Sequence, residues 1–259
     1  MGIIIAGRMF QLVFLLVFGI IVAIMIYMAK KGKVPEIRRL PGIDALDEVI
    51  GRATEMGKSI IYTVGGLLTD VEAPQAIAGF TMLSYVARKA AKTNTDLRVV
   101  PRFAVHIPVV TDIVQAAYLA EGHPEKFNAE KIHYYSDTQF AFATGVMGQI
   151  ARDKPASLIM MGAWWAECLQ FLETAAIHNV MSVGGTANTH QIPFIVLCTS
   201  ECLIGEEIFA AGAYLSRDPV SVGTIAAGDV GRYVILAMIG VGVVLATAGI
   251  KWLTDIVKL

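Results

Sequence analysis

The sequence predicts an α/β domain on a mostly parallel, doubly wound (Rossmann-like) sheet, flanked by an N-terminal and a C-terminal transmembrane helix. Three observations predict it. Apolar runs at 59–64, 97–105, 132–135, 157–161 and 194–198, with another ending at Ser182-Val-Gly-Gly, lack the alternation of a half-solvated sheet. Patterns with helical periodicity separate these runs, as expected of parallel strands covered on both faces. The apolar excess, at 55% hydrophobic against 17% charged residues, is concentrated at the two ends of the chain.

Residues 9–29 carry no charge between Arg8 and Lys30, a length that at about 1.5 Å per residue crosses a hydrocarbon layer of about 30 Å. Lys30, Lys31, Lys33, Arg38 and Arg39 follow, against Arg8 before. The positive-inside bias therefore places the downstream chain in the cytoplasm of a plasma-membrane protein. A second apolar run, 233–250, lies between Arg232 and Lys251, with Trp252 at an interfacial position. It reads as a second span, making the protein multi-pass, or as a buried terminal helix. Gly19 with Ala23 and Gly242 with Ala246 are small pairs that let helices approach closely in lipid. The expected organisation is a transmembrane helix at 1–30, a basic linker at 31–42, a cytoplasmic α/β domain at 43–229 and a transmembrane helix at 230–259.

Within the domain, Ile43, Leu46, Val49, Ile50 and Ala53 share one face of a helix that stops at Gly57. Strand 59–64 ends in Gly65-Gly66, and Pro74 opens the next helix. Pro101 within 97–105 marks a bulge or an edge strand. Pro108 opens a helix that stops at Gly122, and Ser136 with Gln139 forms a capping box after strand 132–135. One join resists the pattern: the stretch 184–191 is too short for a crossover helix, so one edge of the sheet is expected to be irregular.

A phrase then occurs twice. Ser157-Leu-Ile-Met-Met leads to Glu167-Cys168-Leu169, and Phe194-Ile-Val-Leu-Cys leads to Glu201-Cys202-Leu203. Each copy reads as a strand followed by a helix whose first turn holds Glu and Cys. A helix N-terminus lowers a thiol pKa, whereas the adjacent carboxylate raises it; a reactive pair and two structural residues are both open readings.

Ligands of open parallel sheets bind beyond the carboxyl ends of the strands. That rule collects Gly65 and Gly66, Arg102 and His106, Ser136 and Asp137, Trp164 and Trp165, and Glu167 and Cys168. It adds the polar loop with Gly184, Gly185, Thr186, Asn188 and His190, then Glu201 and Cys202. The paired glycines let backbone N–H groups approach an anion, or they simply permit tight turns. His190 is a candidate base or hydrogen-bond partner with no nucleophile identifiable beside it. No cofactor follows, because neither a G-x-G-x-x-G nor a P-loop motif is present. The three cysteines have neither zinc spacing nor a CxxC pair and suit a reducing compartment. A net charge of -1 gives no reason to expect nucleic acid.

Residues 40–58, reading Leu40-Pro-Gly-Ile-Asp-Ala-Leu-Asp-Glu-Val-Ile-Gly-Arg-Ala-Thr-Glu-Met-Gly-Lys, lead into Tyr62-Thr-Val-Gly-Gly. This run resembles a family of uncharacterised prokaryotic membrane proteins labelled only as a domain of unknown function. The resemblance implies no activity and no functional residues. Two readings stand. One is a membrane-anchored binding or assembly module that forms homo-oligomers through apolar residues such as Phe140, Phe142, Val146, Met147, Phe209 and Tyr214. The other is a membrane-tethered enzyme acting on a small anionic or nucleotide-like ligand through His190, Cys168 and Cys202.

Overall fold

The computed structural model describes residues 8–33 and 40–250. The linker arginines Arg38 and Arg39, and Lys251 with the expected interfacial Trp252, lie outside the described residues. Two compact units form: Arg38–Ser216, and a unit built from the two terminal segments.

Helix α1 (Met9–Lys30) precedes the sheet unit. That unit runs α2 (Pro41–Met56), β1 (Ile60–Gly65), α3 (Ala73–Thr93), β2 (Leu97–Pro101) and α4 (His106–Ala120). It continues with α5 (Gln139–Asp153), β3 (Ser157–Gly162), α6 (Glu167–Ile177) and β4 (Met181–Thr186). It closes with α7 (Ile192–Cys198), β5 (Glu201–Ile204) and α8 (Glu207–Ser216); α9 (Pro219–Thr247) follows.

The strands lie in the order β2-β1-β3-β4-β5, and every pairing is parallel. Side chains alternate across the sheet and build two cores. Ile60, Tyr62, Val64, Ile159 and Met161 pack with Leu46, Val49, Leu83, Val110 and Ile208 of α2, α3, α4 and α8. Ile61, Leu158 and Met160 face the other way, onto Phe142, Val146, Phe171 and Ile195 of α5, α6 and α7. This is the doubly wound arrangement expected from strands apolar on both sides. Pro101 ends β2 at the sheet edge, where its missing N–H leaves no ladder bond unmade.

Three expectations are corrected. Residues 132–135 form no strand; they touch the sheet through one bridge, with His133 N donating to Val99 O at 2.9 Å. The expected capping box is absent: Ser136 Oγ accepts from Thr138 N at 3.0 Å, and Thr138 is the residue that precedes the helix. Gln139 turns its side chain to Glu167 instead.

The third correction changes the topology. Residues 194–198 belong to helix α7, with Pro193 in its first turn, and not to a strand. Short apolar runs do not distinguish the two by periodicity; here Ile195 is buried while Phe194, Val196 and Leu197 are exposed. Helix α7 is itself the crossover between β4 and β5, so no edge of the sheet is antiparallel. The two Glu-Cys-Leu phrases are therefore not equivalent. Glu167-Cys168 opens α6, whereas Glu201-Cys202 lies on edge strand β5.

In the terminal unit, α1 and α9 are both long and apolar enough to cross a membrane, and only 6% of the most apolar window of each is buried. Neither is a core helix. They pack where glycine removes bulk, though not at the expected Gly19, which faces open space. A Cβ on Gly223 would lie 2.8 Å from Ile26 Cα, and one on Gly231 would lie 2.6 Å from the Phe18 ring. Small residues of this kind let helix backbones approach closely.

Candidate binding cleft at the switch point of the sheet

From β1 the chain passes to α3 on one face of the sheet, and from β3 it passes to α6 on the other. In such folds the crevice between those two strand ends is the ligand position. Gly65 pairs with Gly162 at the carboxyl ends of the two strands. A Cβ on Gly162 would run into Gly65 O, and one on Gly65 would run into Ala163 O. Gly66, at φ 93°, then turns the chain away. Beyond it opens a cleft of 310 Å³, lined by Gly66, Leu67, Asp70, Glu72, Arg102, Phe103, Gln139, Ala163, Trp165 and Glu167.

Its floor is an ion pair. Arg102 follows β2 directly, and its backbone N donates to Val64 O at 3.1 Å. Its Nη1 donates to the carbonyls of Asp137 at 2.9 Å and Ser136 at 3.4 Å. The guanidinium carbon stands 4.6 Å from the Phe103 ring centre and 5.0 Å from that of Phe142, within cation–π range. Nε lies 3.6 Å from Glu167 Oε1, too long for a hydrogen bond, and has no such partner. Glu167 begins α6, where the helix dipole favours a carboxylate; its Oε2 accepts from Gln139 Nε2 at 2.5 Å.

One wall is held by a hydrogen-bond network between the start of α3 and the loop after β4. Glu72 Oε1 accepts from Trp165 Nε1 at 2.8 Å and from Asn188 Nδ2 at 3.4 Å. Asn188 Nδ2 also donates to Trp164 O at 3.0 Å, and its Oδ1 accepts from Gln75 Nε2 at 2.8 Å. Gln75 Oε1 in turn accepts from Ala187 N at 2.8 Å and Thr186 Oγ1 at 3.3 Å. His190, exposed, lays its ring 4.7 Å from that of Trp165 at 44°.

Of the residues singled out from the sequence, Gly66, Arg102, Trp165 and Glu167 line the cleft, and Thr186, Asn188 and His190 brace its wall. Gly65 serves the approach of β1 to β3. Gly184 and Gly185 lie within β4, not in a turn. A Cβ on Gly184 would sit 2.7 Å from Ile195 Cγ2, and one on Gly185 would sit 2.5 Å from Met161 Sδ, so packing alone requires glycine at both. Glu201 is exposed on β5, away from the cleft lining.

Cys168 is fully buried, and burial, with Glu167 beside it, pushes its thiol up to about 12. Burial, with Glu207 and Glu201 nearby, also raises Cys202. Neither environment favours a thiolate nucleophile. His106 is wholly buried between the ring edges of Phe80 and Phe103, at 5.1 and 5.5 Å, and burial takes its pKa down to about 4.

Sequence reasoning missed Asp70, Glu72, Gln75 and Gln139. Asp70 and Glu72 lie in the connection from the Gly65-Gly66 turn into α3 and Gln75 in the first turn of that helix, which is where the strand-end rule points. Gln139 was assigned to a cap that does not form.

A family model described as "Domain of unknown function (DUF6754)" matches residues 2–257. No curated protein and no solved structure matches the chain.

Proposed function

We propose that this chain, which belongs to the DUF6754 family of unknown function, is a membrane-anchored α/β binding module whose small-molecule ligand occupies the switch-point cleft. The observation that carries the reading is the Arg102–Glu167 pair. Both side chains are almost fully buried, at 7% and 3% exposure, yet both line an open cleft at the strand ends. Keeping two charges out of water costs several kcal/mol per ion before their attraction is counted, and polar sets of this kind concentrate at binding sites.

Binding is favoured over covalent catalysis because Cys168 is held as a thiol and His190 packs at a tilt against Trp165 at the rim. Helices α1 and α9 supply the anchoring, and the lysines after α1 favour a cytoplasmic placement of the sheet unit. Homo-oligomerisation loses part of its sequence argument. Phe142 and Val146 are buried within the unit's own core and supply no interface.

The test is a thermal-shift panel of small metabolites on the full chain in detergent, repeated with Leu67→Trp, which fills the cleft from its half-buried rim. The expected result is a ligand whose shift disappears in the variant while the unliganded melting temperature holds. A panel without any shift, or a shift that Leu67→Trp leaves intact, sinks the reading. Protease protection tests the placement: the sheet unit should be cut in inverted vesicles and spared in intact cells.

A further inference from the structure

The charges around the cleft narrow the ligand class, on the premise that the cleft is a binding site. Three carboxylates, on Asp70, Glu72 and Glu167, line it against the single guanidinium of Arg102. Glu167 is matched to Arg102 and Gln139. Asp70 Oδ1 accepts from Glu72 N at 2.8 Å, and Glu72 Oε1 holds Trp165 and Asn188. Among the described residues no cationic side chain pairs with Asp70 or Glu72. An anionic ligand would meet two unmatched carboxylates at close range, where like charges repel most strongly.

A second feature points to the ligand independently. Arg102, 6% exposed, lines the cleft with its buried Nε unpartnered. Buried donors in folded proteins are nearly always satisfied; this one is closed to solvent, so an acceptor in the cleft reaches it when the Arg102 side chain shifts toward the opening. Trp165 adds an indole that is 49% exposed at the wall, the side chain that best accommodates an organic cation. A bare metal ion fits less well: among the described residues no cluster of His, Cys, Asp or Glu could hold one.

We infer that the cleft takes a small organic amine in its ammonium form that also carries an uncharged hydrogen-bond acceptor, such as a hydroxyl. The ammonium lies against Asp70 and Glu72 beside Trp165, and the acceptor faces the Arg102 end. A ligand of about ten heavy atoms suits the 310 Å³ available.

The experiment is calorimetric titration of the full chain in detergent with three probes matched in size: glucosamine as cation, glucose as neutral and gluconate as anion. Ethanolamine serves as a smaller cation. The expected result is binding by glucosamine or ethanolamine and none by glucose or gluconate. Affinity should drop at least tenfold in Glu72→Gln and in Asp70→Asn, both of which keep an acceptor oxygen for the existing hydrogen bonds. Amine binding that stays within twofold in both variants overturns the inference. So does gluconate or glucose binding as tightly as the amines. If gluconate binds and Leu67→Trp abolishes it, the cation assignment fails and the binding module stands. If no probe binds while another metabolite gives a shift that Leu67→Trp removes, the outcome is the same. If nothing of any charge binds, both fall.

Discussion

Arg102 and Glu167 meet beneath the cleft with Nε 3.6 Å from Oε1, one residue following the edge strand β2 and the other opening α6. The pair joins elements 65 residues apart in sequence and ties the two sides of the switch point together.

Removing one partner should therefore harm the fold more than removing both. Glu167→Ala leaves a buried guanidinium uncompensated, a change that costs about 3–5 kcal/mol in comparable sites. The double variant Arg102→Met with Glu167→Met should lose less than the sum of the single losses. Urea titrations followed by tryptophan fluorescence measure the coupling; strict additivity would show that the pair does not interact.

The melting temperature should fall in acid through His106. Its folded pKa is depressed to about 4 from the ordinary 6.5, chiefly by burial. Between those values the unfolded chain binds the proton and the folded chain does not. The contribution is thus complete above pH 6.5, declines as pH falls, and is gone below about 4. At 1.36 kcal/mol per unit the upper bound is about 3 kcal/mol. His106→Leu should flatten this part of the profile, read by melting at half-unit steps of pH.

Cys168 should resist alkylation. At pH 8 iodoacetamide should modify it only in denaturant, since its thiol is fully buried and pushed up to about 12. Cys198 and Cys202, both half-buried, should react first in the native protein. Peptide mass mapping of native and unfolded samples decides; early modification of Cys168 would return it to the list of reactive groups.

Gly162→Ala should be among the most damaging single substitutions in the sheet. The residue sits at φ 124°, and a Cβ there would strike Gly65 O; backbone strain alone is about 1–3 kcal/mol. Gly205→Ala is the control. It too has a positive φ, 59°, but its Cβ would enter open space, so the loss should be only about 1 kcal/mol. Denaturation midpoints of the two variants separate the clash from the conformational cost.

Much was legible in the chain because its signals are local. The uncharged length of 9–29, the two-faced apolar strands and the proline that opens α3 follow from periodicity and backbone chemistry over a few residues. The position of a site beyond Gly65-Gly66 follows from the general geometry of parallel sheets. The second Glu-Cys-Leu phrase was misplaced because a five-residue apolar run packs equally well as strand or helix. Only its neighbours decided: β4 needed a crossover to reach β5 in parallel, and 194–198 was the chain available to make it.

How the cleft's side chains combine was decided by tertiary structure. Asp70, Glu72, Arg102, Gln139 and Glu167 share no period or motif, and they come together because β1, β2 and β3 are neighbours whose helices depart to opposite faces. The sequence by itself determined the two apolar spans and the strands and helices with a clear period, but not 132–135 or 194–198. Strand order, which no local pattern encodes, determined that a buried arginine would meet a glutamate far along the chain and leave two carboxylates facing an open crevice.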